Sequence, residues 1–444
     1  MRHPRWKPMV NFHRISFLAV ALALVLASSP GFAAESMIEI YRSGVKPVRV
    51  AIPLIVGAGG RPAPPELVEK LTLRLRSSLE RSGLIEVVDP AAYLEEKSPI
   101  DQDPTYSTWG MIGADALIRG AMGFEAGKWL MELRLYDVGL KRYRKGKRFR
   151  GTDDQVEAMA DRFADVVVEE LTGAEGIALS QIAFVSDETK TREIYLMNID
   201  GTGKRPVTQN RSINVSPEFS RDGKRIFFTS YIRRAKPFLY LYEILTGRLQ
   251  PFWSQGSLSS GGAESPDGKR VAVVQDDGQG NTQIHIYNRE TGESFQLTEG
   301  YGLSVSPAWS PDGKEIAFTS DRSGGPQVYI VPSTGGKPRR LTFRGTYNTS
   351  PAWSPKGGEI AFVRRDGPEF NLYLIDTQGG SEIQLTKGAR SNEDPCWSPG
   401  GDYLIFSSNR RGNFDLYLMG AGGHFVRPIT QTRANEIQPA WSVR

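Results

Sequence analysis

The side chains best suited to catalysis or metal ligation are few. Beyond the first fifteen of 444 residues the chain carries two histidines, His285 and His424, and one cysteine, Cys396. That set falls short of the three or four nitrogen and sulfur ligands of a zinc site. Cys396 has no intrachain partner for a disulfide, and it stands where Ala308, Ala352 and Ala440 stand in related segments, the slot of a small core residue. His285 occupies a position held elsewhere by Tyr195, Tyr329, Tyr373 and Tyr417, so it reads as an aromatic replacement rather than a general base. Asp276-Asp277-Gly278 and Asp200-Gly201 resemble pieces of a calcium loop but lack its remaining ligands and closing Glu, and read as turns. Gly57-Ala58-Gly59-Gly60 sits between strand and helix patterns without the Lys-Ser/Thr of a phosphate loop. The Gly-x-Ser-x-Gly elbow of serine hydrolases is absent. Catalytic, metal-binding and cofactor-binding residues are therefore all expected to be none.

What must position any functional group is a repeat. Ser306-Pro307-Ala308-Trp309-Ser310-Pro311-Asp312-Gly313-Lys314 recurs as Ser350-Pro351-Ala352-Trp353-Ser354-Pro355 and Asp394-Pro395-Cys396-Trp397-Ser398-Pro399. Weaker copies cover residues 216–224 and 262–269, and Pro439-Ala440-Trp441-Ser442 is a truncated one. The Trp slot falls at Phe219, Glu264, Trp309, Trp353, Trp397 and Trp441, with a spacing of 44 or 45 residues. A period in the forties with strand patterns inside it marks a β-propeller. Each unit reads as four short strands, with Pro-Asp-Gly as the first turn and Leu-Thr at the end of the last strand. The unit at Gln181-Ile182-Ala183-Phe184 lacks the Trp-Ser-Pro start, and the start at residues 439–442 lacks the rest. Together they predict six blades, closed by the C-terminal strand pairing into the first blade, with no open sheet edge. Glu264 in a Trp slot predicts either a repacked blade or a widened polar opening.

The residues before the repeat divide in two. Arg2, Arg5, Lys7 and Arg14 precede an apolar run at residues 15–27 and a small-residue segment ending in Ala33-Ala34. That is the pattern of an export signal, predicted at 1–33. The run is short for a bilayer span, and no later segment is as apolar. Removing the signal takes four of 55 basic groups against 50 acidic ones, so the net charge falls from +5 to +1. That near balance argues against a general nucleic-acid partner. Residues 34–172 carry two amphipathic helix patterns among strand patterns, and predict an N-terminal α/β domain joined by a linker at 173–180 to a propeller at 181–444. The basic run Lys141-Arg142-Tyr143-Arg144-Lys145-Gly146-Lys147-Arg148-Phe149-Arg150 reads as a hairpin turning at Lys145-Gly146-Lys147, its charged face guarding a sheet edge; an RNA or membrane-surface patch is the other reading.

An export signal, an α/β domain of this size and six Pro-Ala-Trp-Ser-Pro-Asp-Gly-type repeats resemble the TolB family, the periplasmic components of the Tol–Pal cell-envelope system, over essentially the whole mature chain. The resemblance implies a non-catalytic, monomeric periplasmic adaptor. It implies binding of the lipoprotein Pal by the propeller and signalling to TolA through the mature N-terminus. Outer-membrane integrity, envelope constriction at division and exploitation by colicins follow from it. It places Pal over the ring axis, on the face where the inner strands begin. The matching positions are Val215 and Ser216, Val305 and Ser306, Thr349 and Ser350, Glu393 and Asp394, Ile437 and Gln438, with Ser260 in the blade that departs from the pattern. The implied switch segment is Glu35, Ser36, Met37, Ile38, Glu39 and Ile40. The competing readings are a propeller-based hydrolase or lyase, which would need clustered His, Asp or Glu at the axis, and a carbohydrate-binding module, which would need aromatics exposed there.

Overall fold

The structure, a computed structural model, describes residues 46–57, 61–95, 99–233, 236–256 and 259–443. The expected export signal and the switch segment at 35–40 lie outside the described residues.

Pro65 opens helix α1 (Pro65–Arg81), where its fixed φ suits the first turn, and Gly83 ends it at φ 68°. The stripe Val68, Leu71, Leu75 and Leu79 is buried, as its spacing predicts. Helix α2 (Tyr106–Met111) is a single short turn that buries Trp109. Thr152 and Gln155 form a capping box ahead of helix α3 (Val156–Thr172). The sheet beneath runs in the order Ile85–Val87, Val48–Ala51, Ala116–Glu125, Lys128–Asp137, Arg142–Gly151. Its first three strands are parallel and its last two antiparallel. Val156, Met159, Phe163 and Val167 of α3 share one core with the α1 stripe and with Ile118, Met131 and Leu133 of the sheet.

The basic run departs from the expected hairpin. Arg142–Gly151 is one continuous strand at the edge of the sheet, and the chain turns earlier, with Lys141 at φ 50°. Gly146 pairs in register with Arg134. A Cβ there would lie 2.6 Å from the Tyr143 hydroxyl and 3.3 Å from the Leu133 carbonyl oxygen. The glycine stands at a crowded position within a strand, not at a turn.

Six four-stranded sheets follow. Glu436–Trp441 pairs with Gln181–Ser186, so the last strand is the inner strand of the first blade and the ring closes. The Trp slot packs between blades. Trp309 donates from Nε1 to the Ala263 carbonyl at 2.8 Å and Trp397 to that of Ala352 at 3.0 Å, each reaching the preceding blade. The Ser-Pro-Asp-Gly turn is held from within: Ser310 Oγ donates to Asp312 and accepts from the Glu315 backbone N–H at 2.9 Å, with Gly313 at φ 70°. In five blades a Thr at the end of the outer strand accepts from the third strand of its own blade, as in Val328 N to Thr342 Oγ1 at 3.0 Å. Gln327 Oε1 accepts from both Thr342 and Asn348, and so ties that blade to the next.

At Glu264 the blade is repacked, and the side chain is buried rather than lining a polar opening. It accepts from the Arg221 backbone nitrogen of the preceding blade at 2.6 Å and pairs with Arg289.

The N-terminal domain docks on the turns at the end of the ring away from the inner-strand starts. Arg74 of α1 bonds Asp161 of α3 at 2.6 and 2.8 Å and also pairs with Asp200 in a first-blade turn. Phe425 of the last blade packs against Gly83, where a Cβ would lie 2.3 Å from its ring. Arg427 donates to the Glu80 carbonyl.

Candidate partner-binding face

All eleven face residues expected from sequence lie in the first half of the six inner strands, at equivalent registers. Each inner strand carries a bulge at this level. Its register shifts between Val215 and Glu218, Ser260 and Ala263, Val305 and Ala308, Thr349 and Ala352, Glu393 and Cys396, and Ile437 and Ala440. One residue of each bulge is left-handed: Ser216, Gly261, Ser306, Ser350, Asp394 and Gln438, with φ between 51° and 65°. Outside glycine that conformation costs roughly 1–2 kcal/mol. Five of the six positions accept it, so strain is concentrated on this face, where surrounding structure must hold it. In the blade that departs, Gly261 rather than Ser260 takes the left-handed slot.

The bulge re-aims backbone N–H groups across blade boundaries. Gly261 N donates to Thr229 Oγ1 at 3.2 Å and Ser350 N to Thr319 Oγ1 at 3.2 Å. Gln438 N donates to Asp394 Oδ2 at 3.2 Å and Ser407 Oγ at 3.1 Å. Ser216 N donates to Gln438 Oε1 at 2.9 Å. Ser306 is exposed, and the other ten expected residues are half-buried.

Four of the expected residues meet in one cavity of about 370 Å³: Glu393, Asp394, Ile437 and Gln438. Burial raises the pKa of Glu393, and the neighbouring Asp394 charge adds to it. Burial also raises that of Asp394, against hydrogen bonds from Gln438 N and Ser407. The remaining expected residues stay distributed around the ring. The cavity has walls that the sequence did not point to: Val185, Asp187, Arg192, Phe414 and Asn435. Asp187 accepts from the backbone and side-chain nitrogens of Asn435 at 2.7 and 2.8 Å, a staple between residues 248 positions apart. Only the closure of the ring brings those two together.

Below the bulge, the slot held by Ala308, Ala352 and Ala440 carries Glu218 in the second blade and Cys396 in the last. Glu218 is solvent-exposed along the inner strand, and desolvation by the protein around it pushes its pKa up to about 7. Burial, then the Glu218 charge, pushes the Cys396 thiol up to about 12. A thiol so raised is a poor nucleophile. His285 and His424 are both half-buried, which lowers their pKa values, and they lie in different blades. Among the described residues no three His, Cys, Asp or Glu side chains are grouped to hold a metal ion, and no helix is long and apolar enough to cross a membrane. The arrangement suits a broad polar contact made of many modest interactions.

Comparison with known proteins fits this architecture. Residues 36–143 match the TolB amino-terminal domain, and residues 168–444 match the TolB beta propeller domain. The Tol-Pal system protein TolB of Syntrophotalea carbinolica is 35% identical over 217 residues, 47% of this chain and 49% of that protein. The protein of the same name from Desulfosudis oleivorans is 33% identical over 244 residues, 54% of this chain and 55% of that one. The chain thus spans about half the length of the curated relatives it matches. The crystal structure of TolB from Acinetobacter baumannii aligns with a TM-score of 0.79 at 25% identity, covering 89% of this chain and 97% of that one. With its α/β domain, its closed six-bladed ring and these matches, the chain belongs to the TolB family of the Tol–Pal system.

Proposed function

We propose that the protein is a non-catalytic, monomeric periplasmic adaptor, exported by a signal at residues 1–33, that binds the lipoprotein Pal on the bulged face of its propeller. The observation that carries this reading is the ring of left-handed bulge residues, from Ser216 to Gln438, whose strain is concentrated at the level of the Glu393–Asp394 cavity. Backbone strain of this kind collects at functional sites, and a rigid, preorganised surface lowers the cost of binding a partner. The segment Glu35, Ser36, Met37, Ile38, Glu39 and Ile40 signals to TolA, and docking or release of that segment biases the face. Such coupling works only if the segment binds the two states of the face differently. Support of outer-membrane integrity and of envelope constriction at division, and exploitation by colicins, belong to the same reading. The test is binding of purified Pal to the mature chain and to an Asp394→Arg variant. Tight binding by the first and weakened binding by a folded variant is the expected pair of results. Absence of binding to the mature chain defeats the reading.

A further inference from the structure

The loops that carry the chain from each outer strand to the next inner strand open onto the bulged face. Wherever the outer strand ends in Thr, the loop is five residues long: 209–213, 299–303, 343–347, 387–391 and 431–435. Four of these five loops place an exposed arginine at the rim: Arg211, Arg344, Arg390 and Arg433. Hairpin ends on the same side add exposed Arg192, Arg233, Arg365 and Arg411. Of these eight, only Arg344 has a carboxylate within 4.0 Å among the described residues, Glu382 at that outer limit. Arg211 and Arg390 both stand in the left-handed region, at φ 53° and 58°, which fixes how their loops present them.

Carboxylates on the same rim are used differently. Asp187 staples Asn435, Asp321 accepts from Leu303 N at 2.7 Å, and Asp366 accepts from the Tyr373 hydroxyl at 2.8 Å. They hold loops in shape while the guanidinium groups project. The rim is therefore cationic, although the mature chain as a whole is close to charge balance. It has one gap. The loop 299–303, between the third and fourth blades, carries Glu299 and a Tyr301 that is 90% exposed in place of an arginine.

We propose that this arginine collar recognises a protein surface bearing carboxylates around its perimeter, and that the gap at Tyr301 fixes the rotational register of that partner on the ring. The inference rests on the reading of the face as the Pal-binding surface. Rim charges act chiefly on the rate of encounter and on its salt dependence, while a lone exposed tyrosine offers a contact of a different kind.

The experiment is stopped-flow association of Pal with the mature protein at about 20 mM and about 200 mM NaCl, beside the triple variant Arg211→Glu, Arg390→Glu, Arg433→Glu. All three positions are exposed loop residues, and circular dichroism checks the fold. Steering of this kind changes rates by about ten-fold or more. The wild-type rate is expected to fall about ten-fold with salt, and the variant to start about ten-fold slower with a flattened salt response. Equal rates for variant and wild type, or a salt-independent wild-type rate, overturn the collar while leaving the Pal reading intact. Poly-L-glutamate is run in parallel as a partner-free probe. If Pal does not bind at all, the Pal reading fails; the collar then stands if poly-L-glutamate binds the wild type and not the variant, and falls if it binds both or neither.

Discussion

Ser216 donates its backbone N–H to the Gln438 side chain at 2.9 Å, joining residues 222 positions apart on one rim of the propeller. Both are left-handed bulge residues, and both immediately precede a proline of the repeat. The contact couples two properties of the fold. It helps seat the closing strand against the second blade, and it shapes the face on which a partner is proposed to sit. Ring closure and the partner surface are thus built partly from the same residues.

Closure should be costly to disturb. Trp441 is 6% exposed and packs in the core shared by the first and last blades. Trp441→Ala is expected to lower stability by about 3–5 kcal/mol, the usual range for a large aromatic truncated in a core. Leu245→Ala, at a residue 93% exposed, should stay within about 0.5 kcal/mol. Urea denaturation followed by far-ultraviolet circular dichroism measures both.

Glu264 offers a sharper test of the repacked blade. Glu264→Ala strands the Arg289 guanidinium and leaves the Arg221 N–H without its acceptor. Breaking one side of a buried pair costs about 3 kcal/mol or more. Glu264→Gln keeps an acceptor for Arg221 and should cost distinctly less. Equal losses in the two variants would show that the carboxylate charge, not the hydrogen bond, dominates.

The pH dependence of stability should carry the signature of Glu218. Its pKa rises from an ordinary 4.5 to about 7 on folding, through partial desolvation by the protein around it. Below the lower value the carboxyl is neutral in both states and carries no penalty. As pH rises through this window the unfolded chain loses its proton first, so stability falls, and above the higher value the penalty is complete. Glu218→Gln should flatten the profile of unfolding free energy from pH 5 to pH 8, and be the more stable protein at pH 8. Parallel profiles for the two proteins would contradict the assignment.

Arg74 should hold the N-terminal domain to the ring. Burial works against its charge, but Asp161 and Asp200 outweigh that and hold its pKa above the ordinary value. Both carboxylates are themselves almost fully buried, with side chains 5% and 2% exposed. Arg74→Ala leaves two buried charges unpaired, and about 3 kcal/mol or more is the expected cost. Scanning calorimetry should then show the domain melting ahead of the propeller, where the wild type gives one transition.

Much of the fold was legible because each blade repeats the same local chemistry. Ser310, Asp312 and Gly313 close a turn with their own side chains, so the turn could be read from the residues alone. The offset between blade starts and ends required the closing pair at Glu436–Trp441. Gly146 misled because glycine serves both turns and crowded strands, and only the neighbouring Tyr143 and Leu133 distinguish them. The repeat sets the face residues at one level of the ring, but Ser, Asp and Gln at the bulge carry no sequence signal of a left-handed backbone. No sequence pattern links Asp187 and Asn435, because they lie outside the repeated segment and meet only in the closed ring. The arginines of the rim fall at varying positions in loops of equal length, which hides them from a fixed-period reading.

The segment at 35–40 gives the account its regulatory part. Deleting residues 34–43 should change the affinity for Pal, measured by titration calorimetry on the otherwise intact mature chain. Unchanged affinity would remove the switch and leave the docking face standing.

Binding of Pal, compared across two variants by titration calorimetry, probes the face itself most directly. Glu393→Arg alters the cavity on the bulged face, and Leu245→Arg places the same charge on an exposed turn at the opposite end of a blade. The expected result is wild-type affinity for Leu245→Arg and at least a roughly ten-fold loss for Glu393→Arg, about 1.4 kcal/mol. No binding by the wild type, or equal affinity in both variants, would contradict a Pal-binding face built on the bulged inner strands.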